Sequence, residues 1–163
     1  EKTAFLWLLV TAFVTDALDG FIARRFNQMS ELGARLDSWA DAAVYISLPL
    51  AAWWLWPAVI TQQALWMALI IGSVVVPAVA GLLRFGQFTS YHTWFAKAAA
   101  ALTAVATVLL FAFGLELTFQ VAAVVCVIAA LEEIAITLVM DRPLSNVRNL
   151  RHALAAREAR GRR

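Results

Sequence analysis

Asp16, Asp19, Asp37 and Asp41 stand at the ends of two strongly apolar stretches, where an ionised carboxylate is costly unless something cancels its charge. On a helix the 3.6-residue repeat brings Asp16, Asp19, Gly20 and Ala23 onto one face, and Gly33, Asp37 and Asp41 onto one face of the next segment. Two acidic faces can then oppose each other. About two divalent cations balance four carboxylates, and oxygen-only ligands favour magnesium or manganese. Gly20, Ala23 and Gly33 keep the wall beside the carboxylates bare, so a flat or bulky ligand can approach the backbone. Arg24 offers a planar fork suited to phosphate oxygens. This combination describes a two-metal site for a pyrophosphate.

The elements that must position these residues are membrane helices. The chain has 163 residues, 63% of them hydrophobic and 15% charged, with a mean hydropathy of +0.76. That balance is too apolar for a soluble domain of this size. Windows of about twenty residues predict helices over 3–24, 33–57, 62–83, 94–113 and 117–140. The fold class is therefore all-α, a polytopic transmembrane helix bundle with five helices. Residues 1–140 read as one transmembrane domain, because no Gly/Ser/Pro-rich linker interrupts them, and residues 141–163 as a basic cytoplasmic tail. Ser30 is a plausible N-cap for the helix that carries Gly33.

Charge alternates along the connections. Arg24, Arg25 and Arg35 flank the first turn, Arg84 and Lys97 the third, and seven arginines follow Met140, while Pro57 to Gln63 carries no charge and the fourth connection only Glu116. The positive-inside rule then places the motif loop and the tail on the cytoplasmic side. Trp7, Trp53, Trp54, Trp56 and Trp66 map near the outer interface as an aromatic belt. Counted inward from Arg35 and Arg24, Asp41 and Asp16 lie about 10 Å below the cytoplasmic charges, so the site is shallow and opens inward.

Arg84, His92 and Lys97 share the side of the motif, and Arg84 and Lys97 are candidates to bind an anionic acceptor group. Ordinary inside-positive charge explains them equally well, and a lone interfacial His92 is usually just solvated. Glu132 and Glu133 lie at similar depth in the last helix, where pairing within the bundle is the common role of such acids. Cys126 reads as a small apolar filler. After Pro143 the tail reads as a weakly amphipathic surface helix or a frayed end. No glycine-rich P-loop or zinc-ligand spacing occurs, and the basic residues follow topology instead of forming a nucleic-acid groove.

The run D-x-x-D-G-x-x-A-R-x8-G-x3-D-x3-D, from Asp16 to Asp41, resembles the signature of the CDP-alcohol phosphotransferases, also called CDP-alcohol phosphatidyltransferases, at all eight fixed positions and in spacing. These are integral membrane enzymes that make phospholipid head groups. The resemblance implies six helices, so that the helix ahead of the signature is expected to be missing from this chain. It implies that Asp16, Asp19 and Asp37 are metal ligands, with Asp41 completing the second metal's shell and acting as general base. Gly20, Ala23 and Gly33 would accommodate the nucleotide and Arg24 would contact its diphosphate. The expected reaction moves a substituted phosphate, a phosphatidyl group, from a CDP-linked lipid donor such as CDP-diacylglycerol to a small polar alcohol, releasing CMP. Two Mg2+ or Mn2+ ions per site, a homodimer among membrane lipids and a bacterial inner-membrane location belong to the same expectation. A cation transporter or channel is the alternative reading of intramembrane acids, although an arginine one turn away gains a cation path nothing. A catalytically silent relative is a third.

Overall fold

A computed structural model describes residues 1–25, 47, 49–86, 93–140 and 149. Among these the regular structure is entirely helical, as expected. The chain divides into two compact units, Glu1–Gln62 and Gln63–Arg163.

In the first unit, α1 runs without interruption over Lys2–Arg25. Residues 49–55 are helical, and Pro57–Gln62 forms the short helix α2. The uncharged connection expected from Pro57 onward is thus itself helical. Proline is favoured at a first helical position, where its missing N–H is not needed, and the turn pattern passes through it: Trp56 N–H donates to Ala52 O at 2.8 Å and Ile60 N–H to Trp56 O at 3.1 Å. Leu9 and Ala52 are buried. Threonine hydroxyls on apolar helices turn back to the preceding turn, Thr15 Oγ1 donating to Thr11 O at 2.9 Å and Thr61 Oγ1 to Pro57 O at 3.0 Å.

The second unit holds α3 (Ala64–Phe85), α4 (Trp94–Phe113) and α5 (Glu116–Val139). All three are long and apolar enough to cross a membrane. In α1 the apolar stretch is only Lys2–Thr15, because the helix continues into the charged motif. Of the five expected spans, three therefore meet the criterion among the described residues.

Helix α5 packs against both α3 and α4. Its buried positions include Ala122, Ala123, Cys126, Ala129 and Ala130, small residues that let helix backbones come close where lipid supplies no hydrophobic drive for association. Cys126 is packed filler with a polar contact: its Sγ lies 3.1 Å from Thr103 Oγ1, and it clusters with Ala99 and Ala129. Pro77 and Gly81 are the buried positions of α3. The outward faces carry exposed Val74, Leu83, Val105 and Leu131, as a lipid-facing surface requires.

The ends are set by local chemistry. Thr93, fully buried, accepts the Ala96 N–H at 3.1 Å and caps α4. Gly114 at φ 68° ends that helix, its N–H reaching Leu110 O at 2.9 Å and the Leu115 N–H reaching Leu109 O at 3.3 Å.

Candidate active site

The motif begins on α1, and the helix shows which way that motif faces. Phe5, Leu6, Leu9, Val10, Ala12 and Phe13 are buried or half-buried, whereas Trp7, Leu8, Thr11, Val14, Thr15 and Leu18 are exposed. The two sets occupy opposite faces of one continuous helix. By the helical repeat alone, backbone positions 16, 20, 23 and 24 continue the inner line of α1, and position 19 falls at its edge.

The far end of that side is fastened. The rings of Phe5 and Trp56 lie 5.4 Å apart, inclined at 59°, and Lys2 Nζ stands 5.3 Å over the Trp56 ring. The start of α1 therefore meets the chain just after helical residues 49–55. Leu9 and Ala52 are both buried. Gly33, Asp37 and Asp41 lie outside the described residues, as do Ser30, Arg35, His92 and Pro143.

In the second unit one end gathers the basic residues. Helices α3 and α5 run parallel, since Gln63 meets Glu116 at their starts and Arg84 meets Met140 at their ends. Helix α4 runs opposite to α5, with Thr103 beside Cys126. Arg84, Lys97 and Met140 consequently share one end, and Gln63 and Glu116 the other, the alternation that the charges along the sequence predict. Arg84 is engaged: Nε and Nη2 donate to Met140 O at 3.3 and 3.2 Å. Lys97 Nζ stands 5.5 Å over the Trp94 ring. Glu133 falls in the buried stripe of α5, half-buried, and its backbone carbonyl accepts the Thr137 hydroxyl at 3.0 Å.

Three polar features escape the sequence reading. Gln63, 2% exposed, donates from Nε2 to Glu116 Oε2 at 2.9 Å and accepts at Oε1 from Gln120 Nε2 at 3.5 Å. The four-residue spacing of Glu116 and Gln120 was the available signal for that network. Thr93 directly ahead of an apolar run was the signal for a cap. The clasp of Lys2 and Phe5 on Trp56 had none, because it joins residues far apart in the chain. Among the described residues no three acids, histidines or cysteines are grouped as a metal-holding set.

The described residues form an all-helical chain whose first helix carries D-x-x-D-G-x-x-A-R along its length. The family model of the CDP-alcohol phosphatidyltransferases matches residues 1–140, and the chain belongs to that family. Over 41 residues it is 54% identical to the CDP-diacylglycerol--inositol 3-phosphatidyltransferase of Saccharomyces cerevisiae, a match covering 25% of this chain and 19% of that protein. Over 50 residues it is 44% identical to the CDP-diacylglycerol--glycerol-3-phosphate 3-phosphatidyltransferase of Blochmanniella floridana, covering 27% of this chain and 26% of that one. The chain thus spans well under two thirds of the length of these relatives. No solved structure matches it. Nothing in these likenesses supports the cation-path alternative.

Proposed function

We propose that this protein transfers a phosphatidyl group from a CDP-linked lipid donor, CDP-diacylglycerol, to the hydroxyl of a small polar alcohol, releasing CMP, with its site at the cytoplasmic face of a bacterial inner membrane. The observation that carries the reading is the family match over residues 1–140, which takes in the whole run from Asp16 to Asp41.

An all-oxygen donor set suits Mg2+ or Mn2+, and Asp16, Asp19, Asp37 and Asp41 would hold two such ions. When bound, the ions would draw charge from the diphosphate and stabilise the departing CMP. Arg24 binds diphosphate oxygens through its fork, and Gly20, Ala23 and Gly33 leave room for the nucleotide. Asp41 takes the proton from the acceptor hydroxyl. That oxygen bonds to the lipid-bearing phosphorus as the bond from phosphorus to the CMP oxygen breaks.

The relatives named for inositol and for glycerol 3-phosphate favour a small polyol, free or phosphorylated, as acceptor. Arg84 keeps donors beyond the two committed to Met140 O, so it and Lys97 can bind an acceptor's anionic group at their shared end. The protein works as a homodimer among membrane lipids. The test is CMP release from CDP-diacylglycerol by purified protein supplied with a panel of polyols and polyol phosphates. No release with any acceptor overturns the reading.

A further inference from the structure

We propose that α3 is a jointed arm: a soft stretch from Gly72 to Pro77 lets its last turns carry Arg84 on and off the carbonyl of Met140. The inference deepens the reading of Arg84 as an anion-binding residue and rests on that reading only for what the arm delivers.

The two ends of α3 are held unequally. At its start the buried Gln63 donates to Glu116 at 2.9 Å and accepts from Gln120, and two turns further on Ile70 packs against the cluster of Ala99, Cys126 and Ala129. At its end Arg84 is exposed. Its two bonds to Met140 O, at 3.3 and 3.2 Å, are longer than the about 2.9–3.0 Å usual for an N–H donor to oxygen. One end is a buried clamp and the other a surface latch.

Between these fastenings α3 contains the residues that soften a helix. Pro77 has no N–H, so the Ser73 carbonyl lacks the donor that helix geometry would give it, and the proline ring crowds that same carbonyl. Gly72 and Ser73 are a glycine–serine pair, a further place where helices bend. The Ser73 hydroxyl donates to Ile70 O at 2.6 Å, a bond back to the preceding turn that also favours a bend. Packing does not call for glycine at 72, since a Cβ there would meet nothing within 4 Å. Helices α4 and α5 contain neither glycine nor proline. Helix α5, buried at positions from Phe119 to Thr137, is therefore the stiff post beside which the arm moves. Beyond the joint, exposed Val79 and Leu83 stand on the outward face, where lipid gives way to a moving helix without loss of apolar burial.

The joint gives Arg84 two positions. With the arm in, the bonds to Met140 O fix the plane of the guanidinium and leave its other edge for an anion. With the arm out, that edge is no longer held in one place. An anion that binds the fixed edge binds only the inner position, so it shifts the population of the arm inward.

Spin labels in lipid nanodiscs read the arm directly, by pulsed dipolar resonance on samples diluted with unlabelled protein. One pair is Leu83→Cys with Leu138→Cys at the moving end and the other Leu65→Cys with Leu117→Cys at the held end, all four positions exposed, in a Cys126→Ala background. The distance distribution should be broader for the first pair than for the second. Gly72→Ala and Pro77→Ala should each remove the excess width, and Arg84→Ala should shift the first pair to longer distances. Gly72→Ala fills open space, so it keeps the test decisive where Pro77→Ala disturbs packing. Equal widths at the two ends of the parent overturn the proposal. Excess width that survives both helix substitutions, or a first pair that Arg84→Ala leaves in place, overturns it as well. Saturating glycerol 3-phosphate should narrow the first pair in the parent, and glycerol should not. If Gly72 and Pro77 control the width but glycerol 3-phosphate changes nothing, the joint stands and the anion-binding reading of Arg84 is what fails.

Discussion

The Arg84 guanidinium at the end of α3 donates twice to the carbonyl oxygen of Met140 at the end of α5, from Nε at 3.3 Å and from Nη2 at 3.2 Å. The carbonyls of a helix's last turn lack intrahelical donors, and a cation there also suits the negative end of the helix dipole. The same bonds fix the plane of the guanidinium and leave its other edge available. One residue can therefore both cap a helix and present a fork to an anion.

Arg84→Ala should raise the KM for a phosphorylated acceptor by about tenfold or more, while the KM for the CDP-linked donor stays within about twofold. Arg84→Lys keeps the charge but cannot span two directions in one plane, so it should restore only part of the loss. Steady-state kinetics with a polyol and its phosphate make the comparison. Unchanged acceptor KM in Arg84→Ala, with only a lower melting temperature, would leave Arg84 as a cap alone.

At the other end of the second unit, Gln63→Ala should destabilise the protein by about 1–3 kcal/mol, because Glu116 and Gln120 lose the buried amide that joins them. Ala122→Leu should cost about as much by overpacking, since that alanine is fully buried in α5. Both are read by unfolding in mixed detergent. Neither position belongs to the motif, so turnover per folded molecule should change little.

Much of this was legible in the chain, for reasons that particular residues make plain. The apolar run alone placed α4 at 94–113, the bounds observed. The motif was legible because carboxylates in apolar helices are too costly to be incidental. The helical character of 57–62 was not, since Pro57 reads as a break until its place at a helix start is known. The hydrogen bond from Gln63 to Glu116 and the ring contact of Phe5 with Trp56 join residues 53 and 51 positions apart. No local pattern encodes them. Arg84 shows the ambiguity of charge: its side followed from topology, but its bond to Met140 needed the parallel packing of α3 on α5.

Chelation should bring transfer to background, and Mg2+ or Mn2+ should restore it, because the four carboxylates of the proposed site would repel a diphosphate unless cations lay between them. The measurement is CMP release in EDTA followed by titration with each ion. Transfer that persists in excess chelator would remove the metals from the mechanism.

The last prediction separates base from ligand. Asn at position 41 keeps the shape of the side chain and one acceptor oxygen but cannot take a proton. Asp41→Asn should therefore cut turnover by about 10²–10⁴-fold if proton removal is its main role, while binding of the CDP-linked donor survives on Asp16, Asp19 and Asp37. Asp16→Asn removes charge from the ligand set, so donor affinity and turnover should fall together. Donor binding measured by calorimetry and turnover by CMP release resolve the two patterns. Should Asp41→Asn lose donor binding as completely as Asp16→Asn, the role of Asp41 is ligation and the base lies elsewhere. Near-normal turnover in Asp41→Asn would remove that carboxylate from the chemistry altogether.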